Sequence, residues 1–317
     1  MKRFVLLLPL MLLWVSVRAQ TRPPITGISH IAIYVSDPDA TEHFYVHDIG
    51  LFKGNDPETR RGIRYYVNST QFVEVLPLPS DDLLGRLDHL AYITGDAEQL
   101  RVYLAAHNIK VPPSVEHGSD HSVWFHIKDP EGNDVEFVQP PVHPITISGA
   151  KPIGEHIIHV GMRVRSRDNE DPFYREILGF RPYWYGGMTQ DSTDWVSLQV
   201  PDGQDWLEYM LSSVSTLNGG LAAAIQRQLG VLNHLSLGVV NMKEAVTALD
   251  AEGRLSNEHV GPQIGRDGKW QYNLFDPERT RLELMEFAPV EKPCCSPFTA
   301  QHPVPPSKAA SSSPNGP

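Results

Sequence analysis

Residues 121–139 read HSVWFHIKDPEGNDVEFVQ. Alternating apolar residues (Val123, Phe125, Ile127) lead into Asp129-Pro130-Glu131-Gly132, and an apolar strand resumes with Val135, Phe137 and Val138. Pro130 pre-sets φ and Gly132 permits the positive φ of a tight turn, so the stretch reads as two β-strands around that turn. Glu136 sits in the middle of the second strand. Burying an unpaired carboxylate is costly, so Glu136 either faces water or has a cation to bind. A single such Glu more often faces water on a half-solvated strand. Here the stretch has an echo, which changes the weighing.

Working outward, Ile28 to Val35 (ISHIAIYV) reads as a strand with His30 near its start. Asp37-Pro38 then marks a helix N-terminus, with Asp as cap and Pro in the first turn. That helix carries Phe44 and Tyr45 and ends near Gly50. Residues 62–67 and 71–76 read as further strands, with Glu74 in the middle of QFVEVL. The pattern restarts with Asp88-His89-Leu90-Ala91-Tyr92-Ile93 as a strand, residues 96–107 as an amphipathic helix, and the hairpin of residues 121–139.

Beyond a Pro- and Gly-containing linker at 140–154, the arrangement recurs. His159-Val160-Gly161-Met162-Arg163-Val164 matches the strand at His30. Phe173-Tyr174 lies 14 residues past His159, as Phe44-Tyr45 lies 14 past His30, and Gly179 and Gly50 both fall 20 past their histidine. Glu208 in DWLEYML answers Glu74, His234 in HLSLGV answers His89, and Asp276-Pro277 precedes Glu283 by seven residues, as Asp129-Pro130 precedes Glu136. Four modules of strand, helix and further strands are therefore visible, giving an α+β fold.

The His-to-Glu spacings in the four modules are 44, 47, 49 and 49 residues. One strand-initial His is more often structural than a ligand. Four, each with a mid-strand Glu at similar distance, point to paired use. If first and last strands of a module lie side by side, two facing modules supply two imidazoles and two carboxylates, a set suited to a divalent transition metal with positions left open.

The modules resemble the βαβββ units of the vicinal oxygen chelate superfamily, which includes glyoxalase I, extradiol dioxygenases and bleomycin and fosfomycin resistance proteins. The resemblance rests on the strand-initial His, the Phe-Tyr helix and the Asp-Pro hairpin, over residues 26–142 and 155–288. It implies two tandem domains of two modules each, and a metal held by His30, Glu74, His89 and Glu136 in the first and by His159, Glu208, His234 and Glu283 in the second. Pairing of the first module with the fourth and the second with the third would regroup the same residues.

Two His and two Glu resemble the glyoxalase I set, in which the metal (nickel, zinc, cobalt or manganese) polarises a carbonyl and a glutamate moves the proton. Glu136 and Glu283 are the first candidates for that role, with Glu74 and Glu208 as the alternatives. Extradiol dioxygenases use two His and one carboxylate around Fe(II). The hairpin comes close to their signature with His117 in place, but has His126 where a Tyr is usual. The second hairpin has Asn273 there and Arg279 instead of the turn Gly. His121 and His126 are candidate acid/base groups, although an ordinary loop or strand His is the commoner case. Tyr183-Trp184-Tyr185, Trp195, Trp206 and Trp270-Tyr272 line a cup or pack a core, and Arg266 meets an anionic substrate or is a solvated loop residue. Resistance proteins of this superfamily bind a ligand without catalysis, and that non-enzymatic reading is the third alternative.

The 317 residues suffice for two domains, and a net charge of -11 argues against nucleic acid or an anionic membrane as partner. A small-molecule substrate and a monomer or homodimer are expected. At the N-terminus, Lys2-Arg3, an apolar run from Phe4 to Val17 and Val17-Arg18-Ala19 read as a secretory signal over residues 1–19. The apolar run falls short of the about 20 residues of a membrane span. A secreted or periplasmic protein, with no membrane contact after cleavage, is the expectation. The only cysteines are Cys294 and Cys295; a bridge between neighbours is strained and no disulfide framework is expected. Residues 289–317, rich in Pro, Ser and Ala, are expected to be disordered.

Overall fold

The computed structural model describes residues 21–80, 83–211, 222–255 and 258–306. The signal segment thus lies outside the described residues. Two eight-stranded sheets of matching topology make up the fold.

In the first half, β1 (Ile25–Val35), α1 (Pro38–Glu42), β2 (Phe52–Asn55), β3 (Ile63–Tyr66) and β4 (Phe72–Pro77) form one module. The second comprises β5 (Leu87–Thr94), α2 (Ala97–Ala106), β6 (Glu116–His117), β7 (Val123–Lys128) and β8 (Asp134–Gln139). Their strands share one sheet in the order β2-β3-β4-β1-β5-β8-β7-β6. First and last strands of each module pair in parallel (β1 with β4, β5 with β8), and the modules meet where β1 and β5 run antiparallel.

The second half repeats this with β9 (Ile157–Val164), α3 (Arg167–Asp171), β10 (Arg181–Gly186), β11 (Trp195–Gln199) and β12 (Trp206–Leu211). After α4 (Ala222–Leu232) come β13 (His234–Val239), α5 (Met242–Ala251), β14 (His259–Ile264), β15 (Trp270–Phe275) and β16 (Arg281–Glu286), in the sheet order β10-β11-β12-β9-β13-β16-β15-β14. Modules therefore share sheets within each half.

Local chemistry explains the elements. The Asp37 side chain accepts from Ala40 N at 3.0 Å with Pro38 in the first turn of α1, and Asp96 caps α2 through Gln99 N at 2.9 Å. The turn after β7 is organised by Asp129, whose Oδ1 accepts from the backbone of Glu131 and Asn133 at 3.0 and 2.8 Å, with Gly132 at φ +89°. In the second half Arg279 stands in the left-handed region there, at φ +71°. Helix α1 widens into a π-helical segment, His43–Asp48, that buries Phe44 and Tyr45; its counterpart Pro172–Ile177 buries Phe173 and Tyr174.

Strand parity divides the residues. Ile31, Ile33, Val73, Val75, Leu90, Tyr92, Val135 and Phe137 belong to the main hydrophobic cluster. The intervening residues His30, Ala32, Glu74, His89, Ala91 and Glu136 share the opposite face, because side chains alternate along a strand.

The halves interlock through the two Asp-Pro hairpins. Glu131 accepts from Arg165 N and Ser166 N, at 2.9 and 2.8 Å, at the start of α3, and Tyr174 donates to Asp129 Oδ2 at 3.4 Å. Reciprocally, Glu278 accepts from Ser36 N and Oγ at 2.6 Å before α1, and Tyr45 donates to Asp276 Oδ2 at 3.1 Å. First and fourth modules, and second and third, thus meet through their hairpins and helices rather than through a shared sheet.

The C-terminal segment carries one bridge and corrects one expectation. Cys294 and Cys295 are joined by a disulfide between neighbours. Residues 289–306 are ordered along the edge strand β10: Thr299 N donates to the Tyr183 carbonyl at 3.0 Å, Tyr185 N to Ser296 Oγ at 2.9 Å, and Phe298 lies 4.8 Å from the Tyr183 ring. Composition suggested disorder, but an open strand edge offers unpaired backbone groups that a following segment can cover. Residues 307–317 lie outside the described residues.

Candidate metal centres

Register builds the first centre. His30 lies across from Ala91, which lies across from Glu136, itself opposite His126. In the adjacent row, Glu74 and His89 flank Ala32. The small residues Ala32 and Ala91 leave room between the larger ones. The Nε2 atoms of His30 and His89 are 2.9 Å apart, and Glu136 Oε2 is 3.1 Å from His89 Nε2 and 4.0 Å from His30 Nε2. Glu74 Oε2 lies 3.6 Å from both imidazole nitrogens. All four residues are buried.

Both rings are oriented from behind. His30 Nδ1 meets Ser29 Oγ at 3.0 Å, and His89 Nδ1 meets Asp88 Oδ2 at 2.8 Å. Tyr34 donates to the other oxygen of Asp88. A carboxylate behind a histidine fixes ring orientation and raises ligand basicity, as at metal sites. Phe72 stacks on the His30 ring at 4.3 Å.

These residues fit a divalent metal. Neither oxygen of Glu136 has a well-aligned hydrogen-bond donor, although the residue is fully buried. An orphaned buried carboxylate is costly unless a cation meets it. Two Nε2 atoms at 2.9 Å also suit neighbouring ligands of one ion, since metal–nitrogen bonds of about 2.1 Å at right angles place nitrogens about 3 Å apart.

Burial opposes ionisation of Glu136, but the imidazoles of His126, His30 and His89 outweigh it and hold its pKa well below the usual range. Burial pushes Glu74 well above that range. It also pushes His30 well down. Burial would lower His89 too, but Asp88 and Glu136 overcome this and hold it well up. Arg64 lies across the strand pair from Glu74, yet its guanidinium turns to Glu58 and to Asp56, the latter at 3.2 Å.

The second centre repeats the plan with different neighbours. His159 Nε2 is 3.1 Å from His234 Nε2 and 3.2 Å from Glu283 Oε2, and Glu208 Oε2 is 3.6 Å from His234 Nε2. Trp206 stacks on His159 at 4.7 Å, as Phe72 does on His30. Gly161 and Ser236 take the places of Ala32 and Ala91. Arg281, opposite His234 in the sheet, donates from a terminal nitrogen to His234 Nε2 at 2.8 Å. Burial and the neighbouring Glu283 push Glu208 up to about 8. A cavity of about 360 Å³ opens onto Glu208, Glu283, Asn273 and Arg281 and is walled by Trp184 and Trp195.

The structure thus brings together both sets of four residues that the sequence singled out. His126 lies 3.1 Å from Glu136 Oε2, with its side chain 39% exposed. His117 is exposed on β6, and His121 is exposed at φ +71°. Arg266 lines the second cavity and donates to the Gly187 carbonyl and Cys294 Sγ, at 3.0 and 2.7 Å. Trp270 and Tyr272 pack in the core. Sequence reasoning missed Ser29, Asp88, Phe72, Lys269 and Arg281. Phe72 and Trp206 were findable, each two residues before its glutamate.

The family model of the glyoxalase/bleomycin resistance protein/dioxygenase superfamily matches residues 27–137. This match assigns residues 27–137 to a domain of that superfamily. The chain's two eight-stranded sheets are the tandem arrangement of vicinal oxygen chelate domains. Solved structures of like fold include a catechol 2,3-dioxygenase (17% identity, TM-score 0.59, 88% of this chain and 95% of that one). An extradiol ring-cleaving dioxygenase from B. fuscum shares 15% identity at TM-score 0.62, over 90% of this chain and 77% of that one. A Mn(II)-bound glyoxalase from Novosphingobium aromaticivorans shares 17% identity at TM-score 0.61, over 83% of each chain. No curated protein matches the chain in sequence.

Proposed function

We propose that the first half is a metal-dependent, glyoxalase-like lyase or isomerase site acting on a small substrate with two adjacent oxygens. One observation carries this reading: a second carboxylate, Glu74, stands 3.6 Å from both imidazole nitrogens, beside the set of His30, His89 and Glu136. Those three residues would hold the ion. When bound, a divalent metal supplies Lewis acidity to the substrate oxygens.

Glu74 is then the group free to take a proton from the substrate carbon and return it to the neighbouring one. Burial raises its pKa, which makes the ionised carboxylate a stronger base for that step. This moves the base from Glu136, the first candidate from sequence, to Glu74. Glu136 stays ionised among three imidazoles and serves as ligand. His126, half exposed beside Glu136, connects the buried centre to solvent and can donate to a substrate oxygen. Phe72 covers one side of His30 and keeps water from that face.

Ring-cleaving dioxygenase chemistry with Fe(II) is the second reading. His30, His89 and Glu136 alone form a two-histidine, one-carboxylate set with open positions, and the fold is shared with catechol and extradiol dioxygenases. The test is metal content by elemental analysis, followed by two assays: proton exchange at carbon on hydroxy-keto compounds, and oxygen uptake on catechols. Exchange that is lost in Glu74→Gln while the metal is retained supports the lyase or isomerase. Oxygen uptake with bound iron replaces that reading with the dioxygenase. Saturable binding without turnover of either substrate class leaves a ligand-binding protein. We also propose an exported location, on the basis of the N-terminal segment and the paired cysteines.

A further inference from the structure

The two centres differ at three places that a fixed offset relates. Ser122, His126 and Asp134 beside the first centre correspond to Lys269, Asn273 and Arg281 beside the second, each 147 residues later, as Glu283 lies 147 after Glu136. One neutral and one acidic residue thus become two cations.

Their placement is specific. His234 Nδ1 donates to the Leu232 carbonyl at 3.0 Å, so Nε2 carries the lone pair that faces the centre. That lone pair already accepts from Arg281 at 2.8 Å, and a second terminal nitrogen of the guanidinium reaches Asn273 Oδ1 at 3.5 Å. Lys269 is fully buried, with Nζ 4.4 Å from the centroid of Trp206, the ring that stacks on His159. Lys269 and Arg281 thus place two protein cations beside the carboxylates Glu208, Glu283 and Asp267, where the first half has Ser122 and Asp134. In the first half the corresponding Asp134 pairs with Lys128 at the rim, and Arg64 is turned to Asp56 and Glu58.

We propose that the guanidinium of Arg281 occupies the lone pair that His234 would offer a metal, so that His159, Glu208, His234 and Glu283 form a metal-free site and the chain carries its metal in the first half. The donor set there matches the first centre, but its lone pair is spent on Arg281. A ligand entering the adjoining cavity meets a fixed hydrogen-bond donor rather than a Lewis acid.

The test is metal stoichiometry. Metal-stripped full-length protein is loaded with Mn(II), desalted and analysed, with folding checked by circular dichroism. His89→Ala should remove about one equivalent and His234→Ala none. Replacing both cations by the first-half residues, Lys269→Ser with Arg281→Asp, should add about one equivalent, abolished by a further His234→Ala. That gain is read whether or not the first centre loads, so failure of the proposed function and failure of this inference are distinguishable. Loss of an equivalent from the otherwise wild-type chain on His234→Ala overturns the proposal. So does a folded Lys269→Ser/Arg281→Asp protein that binds no more Mn(II) than the wild type.

Discussion

Tyr45 and Asp276, 231 residues apart in the chain, share a buried hydrogen bond of 3.1 Å that fastens the first module to the fourth. The pseudo-equivalent pair is Tyr174 and Asp129, at 3.4 Å. The Phe-Tyr and Asp-Pro motifs recur because each hairpin docks on the other half's helix.

Removing that hydroxyl tests the latch. Tyr45→Phe should cost about 1 kcal/mol, and somewhat more if Asp276 is left without a donor in its buried setting. Urea unfolding of Tyr45→Phe, Tyr174→Phe and the double variant measures it; an unchanged midpoint in the double variant would count against a latch.

Asp276 also makes stability depend on pH. Burial pushes its pKa up to about 7, against the opposing hydrogen bonds from Thr280 and Tyr45. A carboxyl raised in the folded state binds its proton more tightly there than when unfolded. Its contribution is full below the ordinary aspartate range and is lost as pH rises through about 7. The urea midpoint should therefore fall between pH 5 and pH 8, and Asp276→Asn should flatten that fall. An equal slope in the variant would assign the effect to other groups.

Gly161 separates Glu208 from His234 in the sheet, and a Cβ there would lie 2.0 Å from His234 Cε1. Gly161→Ala must push the imidazole out of place, at about 1–3 kcal/mol for such overpacking. Ala32→Gly, at the matching position of the first half, has no such clash and should cost under about 1 kcal/mol. Thermal unfolding of the two variants compares them directly.

Metal should stabilise the first half. At about 100 times its dissociation constant, a metal ion adds about 2.7 kcal/mol. Chelation should lower the unfolding temperature of the wild type and leave Glu136→Gln unmoved. Asp88→Asn, which disturbs the support behind His89 and the Tyr34 contact, should weaken metal affinity about 10–100-fold. Calorimetric titration that finds Asp88→Asn as tight as the wild type would remove Asp88 from the site.

Much of this was legible before folding. Strand parity and the spacing of four His–Glu pairs are local properties of the chain, and they marked the modules, the inner face and the eight candidate residues. The Asp-Pro turn and the caps of α1 and α2 follow from the same short-range chemistry. Proximity of the His and Glu within each module required only that first and last strands pair, which the repeat suggested.

What tertiary structure decided is which contacts those donors make. Whether modules share a sheet depends on pairing across more than 50 residues, to which a periodic pattern is blind; β1 beside β5 settled it. Asp88, Ser29 and Phe72 acquire roles only once their strands are in register with a centre. The two centres looked alike in sequence because the motif residues are the same. They differ because cross-strand register brings Arg281 onto His234, while its counterpart Asp134 turns to the rim. The tail reads as disordered by composition, but it is held by an edge strand more than 100 residues earlier. Sequence determined the parts and their face; the long-range register of strands decided what each buried charge meets, because that energy depends on distances only the folded chain sets.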